Sequence, residues 1–209
     1  MKKLSILCCL LPLFAIGQDD FQLWSKVELG YKINKKVSVE LTEGFRLREN
    51  LSLPSKTFTD FKVTYKHNKK ARISTGYRFI QSFNLAQDIR LRHRWYVDVA
   101  LRKKINRCNF SFRSRIQSQK GFDHLERYYR GKISASYNIR KTPLEPTISI
   151  ESFLNLQSPQ FDKFRYTAAL SYPLHKKVQA SLYYRVQQEI NVSFPNTFYI
   201  LGAGVSCDF

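Results

Sequence analysis

The sequence predicts an all-β fold, a single up-and-down antiparallel transmembrane β-barrel of about ten to twelve strands. Apolar and polar residues alternate along successive segments, and a period of two is typical of a strand with unlike faces. Short lysine-rich turns join these segments in pairs, and the last segment, 199–209, alternates up to its terminal Phe209. A strand needs about nine to eleven residues to span a bilayer, and the alternating segments have about that length.

The amino-terminal residues predict a secretory signal peptide. Lys2 and Lys3 precede an apolar run that ends on a small-residue cleavage site at 15–17. The run is shorter than the roughly 20 residues that a membrane-spanning helix needs. We therefore predict a signal peptide at 1–17 and a barrel domain at 18–209, located in the outer membrane of a Gram-negative bacterium.

Eleven alternating segments follow, and each is predicted as a strand. Each sets a mainly apolar face against small, polar or charged residues, and the contrast is sharpest where Leu91 and Trp95 oppose Arg92. Glu43 interrupts the apolar face of its segment. The predicted strands are 21–33, 37–48, 58–66, 71–80, 89–102, 108–119, 129–139, 147–156, 164–172, 178–190 and 199–209.

The connections alternate in length, which predicts short turns in the periplasm and longer loops outside. The short turns are predicted at 34–36, 67–70, 103–107, 140–145 and 173–177. The longer loops are predicted near 49–56, 81–88, 120–127, 157–162 and 191–196. Single-chain bacterial barrels normally have an even number of strands. An odd count puts Phe21 at the outer rim, so either a strand is missed or merged, or the first strand is unusual.

Two architectures share this alternation: a soluble sandwich or barrel with an apolar interior, and a membrane barrel with the faces inverted. The export signal, the strand lengths, the aromatic residues near strand ends and the terminal Phe209 together favour the membrane barrel. Cys108 and Cys207 remain in the mature chain, where a disulfide would have no further cysteine framework behind it.

The strongly basic charge restricts the partners. The formal net charge is +19 for the 209 residues, and such a balance often indicates nucleic acid. The predicted export argues against nucleic acid, so we expect outer-membrane lipids and a small anionic solute instead. No residue spacing indicates a metal site or a cofactor-binding motif.

The carboxy terminus resembles the signal by which outer-membrane barrels are recognised for insertion, an apolar zigzag that ends in phenylalanine. The residues of this zigzag that we assign to the signal are Tyr199, Leu201, Val205 and Phe209. The resemblance implies that the barrel-assembly machinery is a partner during insertion.

The chain as a whole resembles the domain-of-unknown-function 2490 family of small Gram-negative outer-membrane β-barrel proteins. The resemblance covers essentially the whole mature chain and is carried by the opening WSKVELGYKINKKVSVELTEGFRLREN, the lysine-rich turns and the terminal Phe209. It implies a porin-like fold but no established activity, and it identifies no catalytic residue.

Dense arginine on the polar faces predicts the character of the lumen. A narrow barrel fills its interior with paired charges, which is a structural role; an arginine-lined lumen would also favour the passage of anions. The basic residues predicted to line the lumen are Arg90, Arg92, Arg94, Arg113, Arg115, Arg130, Arg165 and Arg185.

A lipid-modifying enzyme, an acyl hydrolase or transferase, is the alternative function. His93 lies on an otherwise apolar face, and a tight turn near 105–106 would place Ser118 opposite it. A serine beside a histidine is the start of a nucleophile and base pair. No outward acid lies nearby to orient the histidine, which favours a protein without enzymatic activity.

Overall fold

The computed structural model describes residues 20–120 and 125–209, which form one closed β-sheet. The predicted signal peptide at 1–17 lies outside the described residues. Helices long and apolar enough to cross a membrane are absent from the described part of the chain. The strands are β1 (Asp20–Lys32), β2 (Val37–Arg48), β3 (Leu53–Lys66), β4 (Ala71–Phe83), β5 (Ile89–Ile105), β6 (Cys108–Lys120), β7 (Leu125–Tyr137), β8 (Glu145–Asn155), β9 (Gln160–His175), β10 (Val178–Glu189) and β11 (Thr197–Asp208).

The barrel closes through a parallel pair of strands. Every strand is antiparallel to its neighbours in the chain, but β1 pairs with β11 in parallel, from Asp20 opposite Phe198 to Gly30 opposite Asp208. The prediction of a wholly antiparallel up-and-down barrel is therefore wrong at this seam. The chain reverses direction at each of ten connections, so the first and the eleventh strand run the same way.

The start of β1 and the end of β11 lie at opposite ends of the barrel. Asp20 lies beside the loop after β2, where its carboxylate accepts a hydrogen bond from the Asn50 N–H at 3.2 Å. At the other end, the Phe209 N–H donates to the Gly30 carbonyl oxygen at 2.8 Å. The unusual first strand, and not a missed or merged one, accounts for the odd count in the described ranges.

All eleven predicted strands are present, and several are longer than predicted. The additional length matters most at β5 and β6, which are joined by Asn106 and Arg107 alone. Asn106 has a φ of 53°, the left-handed conformation that two-residue hairpin turns use. The predicted turn at 103–107 is therefore too long, because the alternation continues to Ile105.

The faces of the sheet are inverted relative to a soluble barrel. Large apolar side chains point outward, and Trp95 is 62% and Ile148 66% exposed. The buried residues inside include ionisable ones, and Asp60 is only 3% and Glu151 4% exposed. Burying a charge is unfavourable unless it is paired, so the interior must satisfy these groups by ion pairs and hydrogen bonds.

Cys108 and Cys207 are free thiols, each half-buried at an end of its strand. They lie on β6 and β11, which are not neighbours in the sheet.

Candidate functional site

The lumen of the barrel is the candidate site. It holds a cavity of about 700 Å³ that is lined by residues from all eleven strands. Fourteen of the lining residues are lysine or arginine, and six are aspartate or glutamate. The lining therefore carries an excess of eight positive charges, in a space where the low dielectric strengthens electrostatic interactions.

Aromatic rings and guanidinium groups alternate around the middle of the lumen and form what we call the aromatic–arginine belt. The belt consists of Trp24, Arg46, Phe58, Arg78, Tyr96, Arg115, Arg130, Phe153, Arg165 and Arg185. The Arg46 guanidinium lies 3.6 Å from the centre of the Trp24 ring, and Arg115 lies 3.7 Å from the Tyr96 ring. A cation over an aromatic face is stabilised by the ring quadrupole, by about 2 kcal/mol where water is excluded.

Trp24 lies on β1, where the belt crosses the parallel pair of β1 and β11 that closes the barrel. Three guanidinium groups surround its ring, and Arg185 and Arg165 lie 5.1 and 5.4 Å from its centre, beyond Arg46. The ring separates three positive charges without adding a negative one. This arrangement holds several arginines close together with few carboxylates.

Glu151 is the acid on which the belt depends most. Its carboxylate accepts hydrogen bonds from three guanidinium groups, those of Arg113 at 2.5 Å, Arg130 at 2.8 Å and Arg165 at 3.2 Å. Its side chain is 5% exposed. A single buried carboxylate therefore neutralises three arginines only in part, which leaves positive charge at this level of the lumen.

Two aspartates complete the pairing of the belt. Arg78 donates to Asp60 at 2.5 Å, and the Tyr96 hydroxyl donates to the other oxygen of the same carboxylate at 2.6 Å. Arg115 binds Asp98 through two parallel hydrogen bonds of 2.6 Å. A bidentate pair of this kind fixes the guanidinium plane as well as its charge.

Six of the cations that line the lumen contact no carboxylate of a described residue; they are Arg46, Lys56, Arg94, Lys132, Lys163 and Arg185. Arg46 and Lys56 make no ion pair or hydrogen bond with any described residue. Arg94 donates to the side-chain oxygen of Gln119, a neutral group, through both Nε and Nη2. These three residues carry positive charge that no contact with a carboxylate offsets.

Several small side chains lie on the inner face toward the end that carries the short turns. By the alternation of the strands, Ser134 and Ser149 follow Lys132 and Glu151 on the inner face, and they are register partners. Ser181 lies opposite Gly204 in the same way. Serine and glycine occupy less of the lumen than the rings and guanidinium groups of the belt do.

Seven of the eight arginines predicted to line the lumen do so in the structure. Arg90 does not; it is exposed near the first residue of β5, beyond the cavity. The predicted set also omits Arg46 and Arg78, which line the cavity and belong to the belt. Both lie on polar faces in the sequence, so the same alternation could have found them.

The predicted pairing of His93 with Ser118 is wrong. The two-residue turn between β5 and β6 places Lys120 opposite His93 and Trp95 opposite Ser118. His93 instead lies against Tyr77, with its Nδ1 2.5 Å from the phenolic oxygen. Both residues are on the outer face, but the geometry of a nucleophile and base is not present at this pair.

The residues predicted as an insertion signal lie on the outer face of the closing strand. Leu201 is 37%, Val205 40% and Phe209 58% exposed, and Tyr199 is half-buried. Their role in insertion stays a prediction. Among the described residues, no three histidine, cysteine or acidic side chains are grouped so that they could hold a metal ion.

An apolar outer surface around a cation-rich, hydrogen-bonded interior defines this protein as a closed β-barrel with inverted faces. The chain belongs to the family described as "Protein of unknown function (DUF2490)", whose model matches residues 21–197. No curated protein matches the chain.

Proposed function

We propose that this protein is an outer-membrane β-barrel that forms a narrow, anion-preferring passage. The observation that carries the proposal is the lumen itself, one continuous cavity with fourteen basic and six acidic residues inside an apolar surface. Rings of basic residues favour anions over cations in pores.

The apolar outer surface is the evidence that favours a membrane environment. Exposed large apolar side chains occur on all eleven strands, and soluble proteins rarely expose apolar surface over so large an area. A closed barrel satisfies every backbone group of its strands, which is the condition for crossing a bilayer with β-structure. In this orientation the short turns face the periplasm.

Conductance of the refolded chain in a planar bilayer tests the passage. We expect steps with a reversal potential that favours chloride over potassium in a salt gradient. The Arg92→Glu variant should shift this reversal potential toward potassium. The substitution replaces a positive charge by a negative one, which lowers the excess of eight positive charges in the lining by two. Arg92 is suited to the test since its nearest acid, Glu126, lies 3.9 Å away and its side chain is 32% exposed.

Arg90→Glu is the matched control for this experiment. Arg90 lies two residues from Arg92 on the same face of β5, but it is outside the cavity lining. Reversal of the charge at Arg90 should leave the ion selectivity nearly unchanged. Equal shifts in the two variants would show that the field of the whole surface, and not the lumen, sets the selectivity. A folded barrel without any conductance would contradict the passage.

Glu43 provides a separate test of the membrane environment. It points outward near the middle of β2, between the register partners Val27 and Thr59. A carboxylate in that position is unfavourable in lipid, though less so than a basic residue at the bilayer midplane. The outer face would therefore be more stable in a membrane without this charge.

We expect Glu43→Leu to stabilise the barrel in lipid bilayers by about 1–2 kcal/mol at pH 8. Glu40→Leu, on the inner face of the same strand, should instead destabilise it because it leaves Lys62 without its ion pair. Urea unfolding in large vesicles measures both effects. A destabilised Glu43→Leu protein would indicate that this face contacts water or a polar partner.

A further inference from the structure

Arg46, which belongs to the aromatic–arginine belt, forms a cluster of cations with Lys56 and Arg94 in the lumen. Arg46 and Lys56 are register partners on β2 and β3 and point into the same cavity. Arg94 lines the same cavity from β5, and the charges of Arg46 and Arg94, with those of Arg92 and Lys163, act on Lys56. The three groups therefore share one space, although they come from three different strands.

No carboxylate of a described residue contacts the cluster directly, and Asp60 acts on Arg94 only through space. The nearest acids are engaged elsewhere: Asp60 binds Arg78 and Tyr96, and Glu151 binds three other arginines. Glu126 accepts a hydrogen bond from the Gln119 amide at 3.1 Å and lies 3.9 Å from Arg92. The Gln119 oxygen solvates Arg94 but brings no charge.

Like charges that converge in a half-buried space repel one another, and the low dielectric strengthens the repulsion. Stacking on Trp24 holds Arg46 in place but does not cancel its charge. An anion between the three side chains would remove the repulsion and use hydrogen-bond donors that have no carboxylate partner. The cluster therefore has the charge and the hydrogen-bond donors that are needed to bind an anion.

We propose that Arg46, Lys56 and Arg94 bind a phosphoryl group within the lumen. This inference rests on the proposed anion passage and names the class of anion that the passage selects. A phosphoryl dianion offers three oxygens to three cationic groups, whereas chloride offers one charge and no directional acceptors. Guanidinium groups match phosphate oxygens with paired hydrogen bonds, and an ammonium adds a point charge.

The test measures binding of inorganic phosphate to the refolded full chain in zwitterionic nanodiscs, by calorimetry at constant ionic strength. We expect Lys56→Met to weaken phosphate binding about tenfold, which corresponds to the loss of one charge-assisted hydrogen bond. Arg94→Gln should weaken it to a similar degree. Heat-modifiable gel mobility checks that each variant is folded.

Lys62→Met is the matched control. Lys62 is on the same face of β3 as Lys56, but it forms an ion pair with Glu40. Its loss should change phosphate affinity less than about twofold, because its charge is already balanced. Equal weakening by Lys56→Met and Lys62→Met would overturn the proposal, as would a wild-type protein that binds phosphate no more tightly than chloride.

The phosphoryl group could come from a phosphate ester or from free phosphate, and glycerol phosphate, tested beside inorganic phosphate, distinguishes the two. Binding of both would assign the site to phosphate esters, and binding of inorganic phosphate alone would assign it to the free ion. Either result supports the cluster as a phosphoryl site. Chloride-selective conductance without phosphate binding would overturn this inference alone, whereas phosphate binding in a barrel that does not conduct would overturn the passage alone.

Discussion

Replacement of Glu151 by glutamine is expected to destabilise the barrel by about 3–5 kcal/mol. The substitution keeps the shape of the side chain but removes the negative charge that three guanidinium groups share. Those of Arg113, Arg130 and Arg165 would then face one another across a neutral amide. Removal of one partner from a buried ion pair leaves an uncompensated charge, and this cost exceeds the net value of the original pair.

Urea unfolding in detergent micelles, followed by tryptophan fluorescence, measures this effect. Trp24 is one of two tryptophans in the chain and lies within the belt, so its emission reports on the packing there. Glu28→Gln is the control, because the Lys26–Glu28 pair is 39% and 24% exposed. A pair this open contributes less than about 1 kcal/mol. Similar losses in the two variants would show that the belt does not depend on its shared carboxylate.

The sequence predicts the strands well because their signal is local. Each strand alternates its own apolar and polar residues, so its existence and its faces can be read without knowledge of its neighbours. The register between strands is a different quantity. It depends on where the turn lies, and a turn at Asn106 and Arg107, one residue later than the predicted 105–106, places Lys120 instead of Ser118 opposite His93.

The belt is harder to predict because it is built from contacts across the barrel. Trp24, Phe58 and Phe153 lie on polar faces, where a large apolar ring is unexpected, and this departure from the alternation is the signal that the sequence offers. Which arginine stacks on which ring depends on the number of strands and on their stagger. Neither quantity is contained in a single segment.

The parallel seam follows from the parity of the strand count. The sequence predicts eleven strands, which conflicts with an even-numbered barrel, but the pattern of one segment does not specify which strand it pairs with. In the structure, β1 brings Trp24 and Lys26 against the inner face of β11. The Lys26 side chain lies across Gly204, where a larger residue would meet it.

Three glycines on the inner face lie beneath aromatic rings of their register partners. Phe58 covers Gly44, Tyr96 covers Gly76 and Tyr183 covers Gly202. In each pair the ring occupies the space where a Cβ atom would be. The rings of the belt can therefore lie flat against the wall of the lumen because the neighbouring strand carries no side chain there.

Gly76→Val is expected to destabilise the barrel by about 3–5 kcal/mol, although valine suits a strand better than glycine does. Strand propensity favours the substitution by about 1 kcal/mol at most. Overpacking opposes it with about 1–3 kcal/mol, and displacement of Tyr96 adds the loss of its hydrogen bond to the Asp60 carboxylate. Tyr96 is 3% exposed and stacked on Arg115, so its ring cannot move aside without further losses.

Gly131→Ala separates this steric effect from a general effect of glycine in a strand. A Cβ atom on Gly131 would meet the Ser152 hydroxyl at 3.4 Å and the Tyr129 ring at 3.8 Å, which are ordinary contacts, so the change in stability should stay within about 0.5 kcal/mol. The double variant Gly76→Val with Tyr96→Leu tests the cause directly, because it removes the ring that valine would strike. We expect it to be more stable than the sum of the two single changes, by about 0.5–3 kcal/mol. Strict additivity would mean that the ring over Gly76 does not cause the loss, and the belt would then tolerate side chains on both partners.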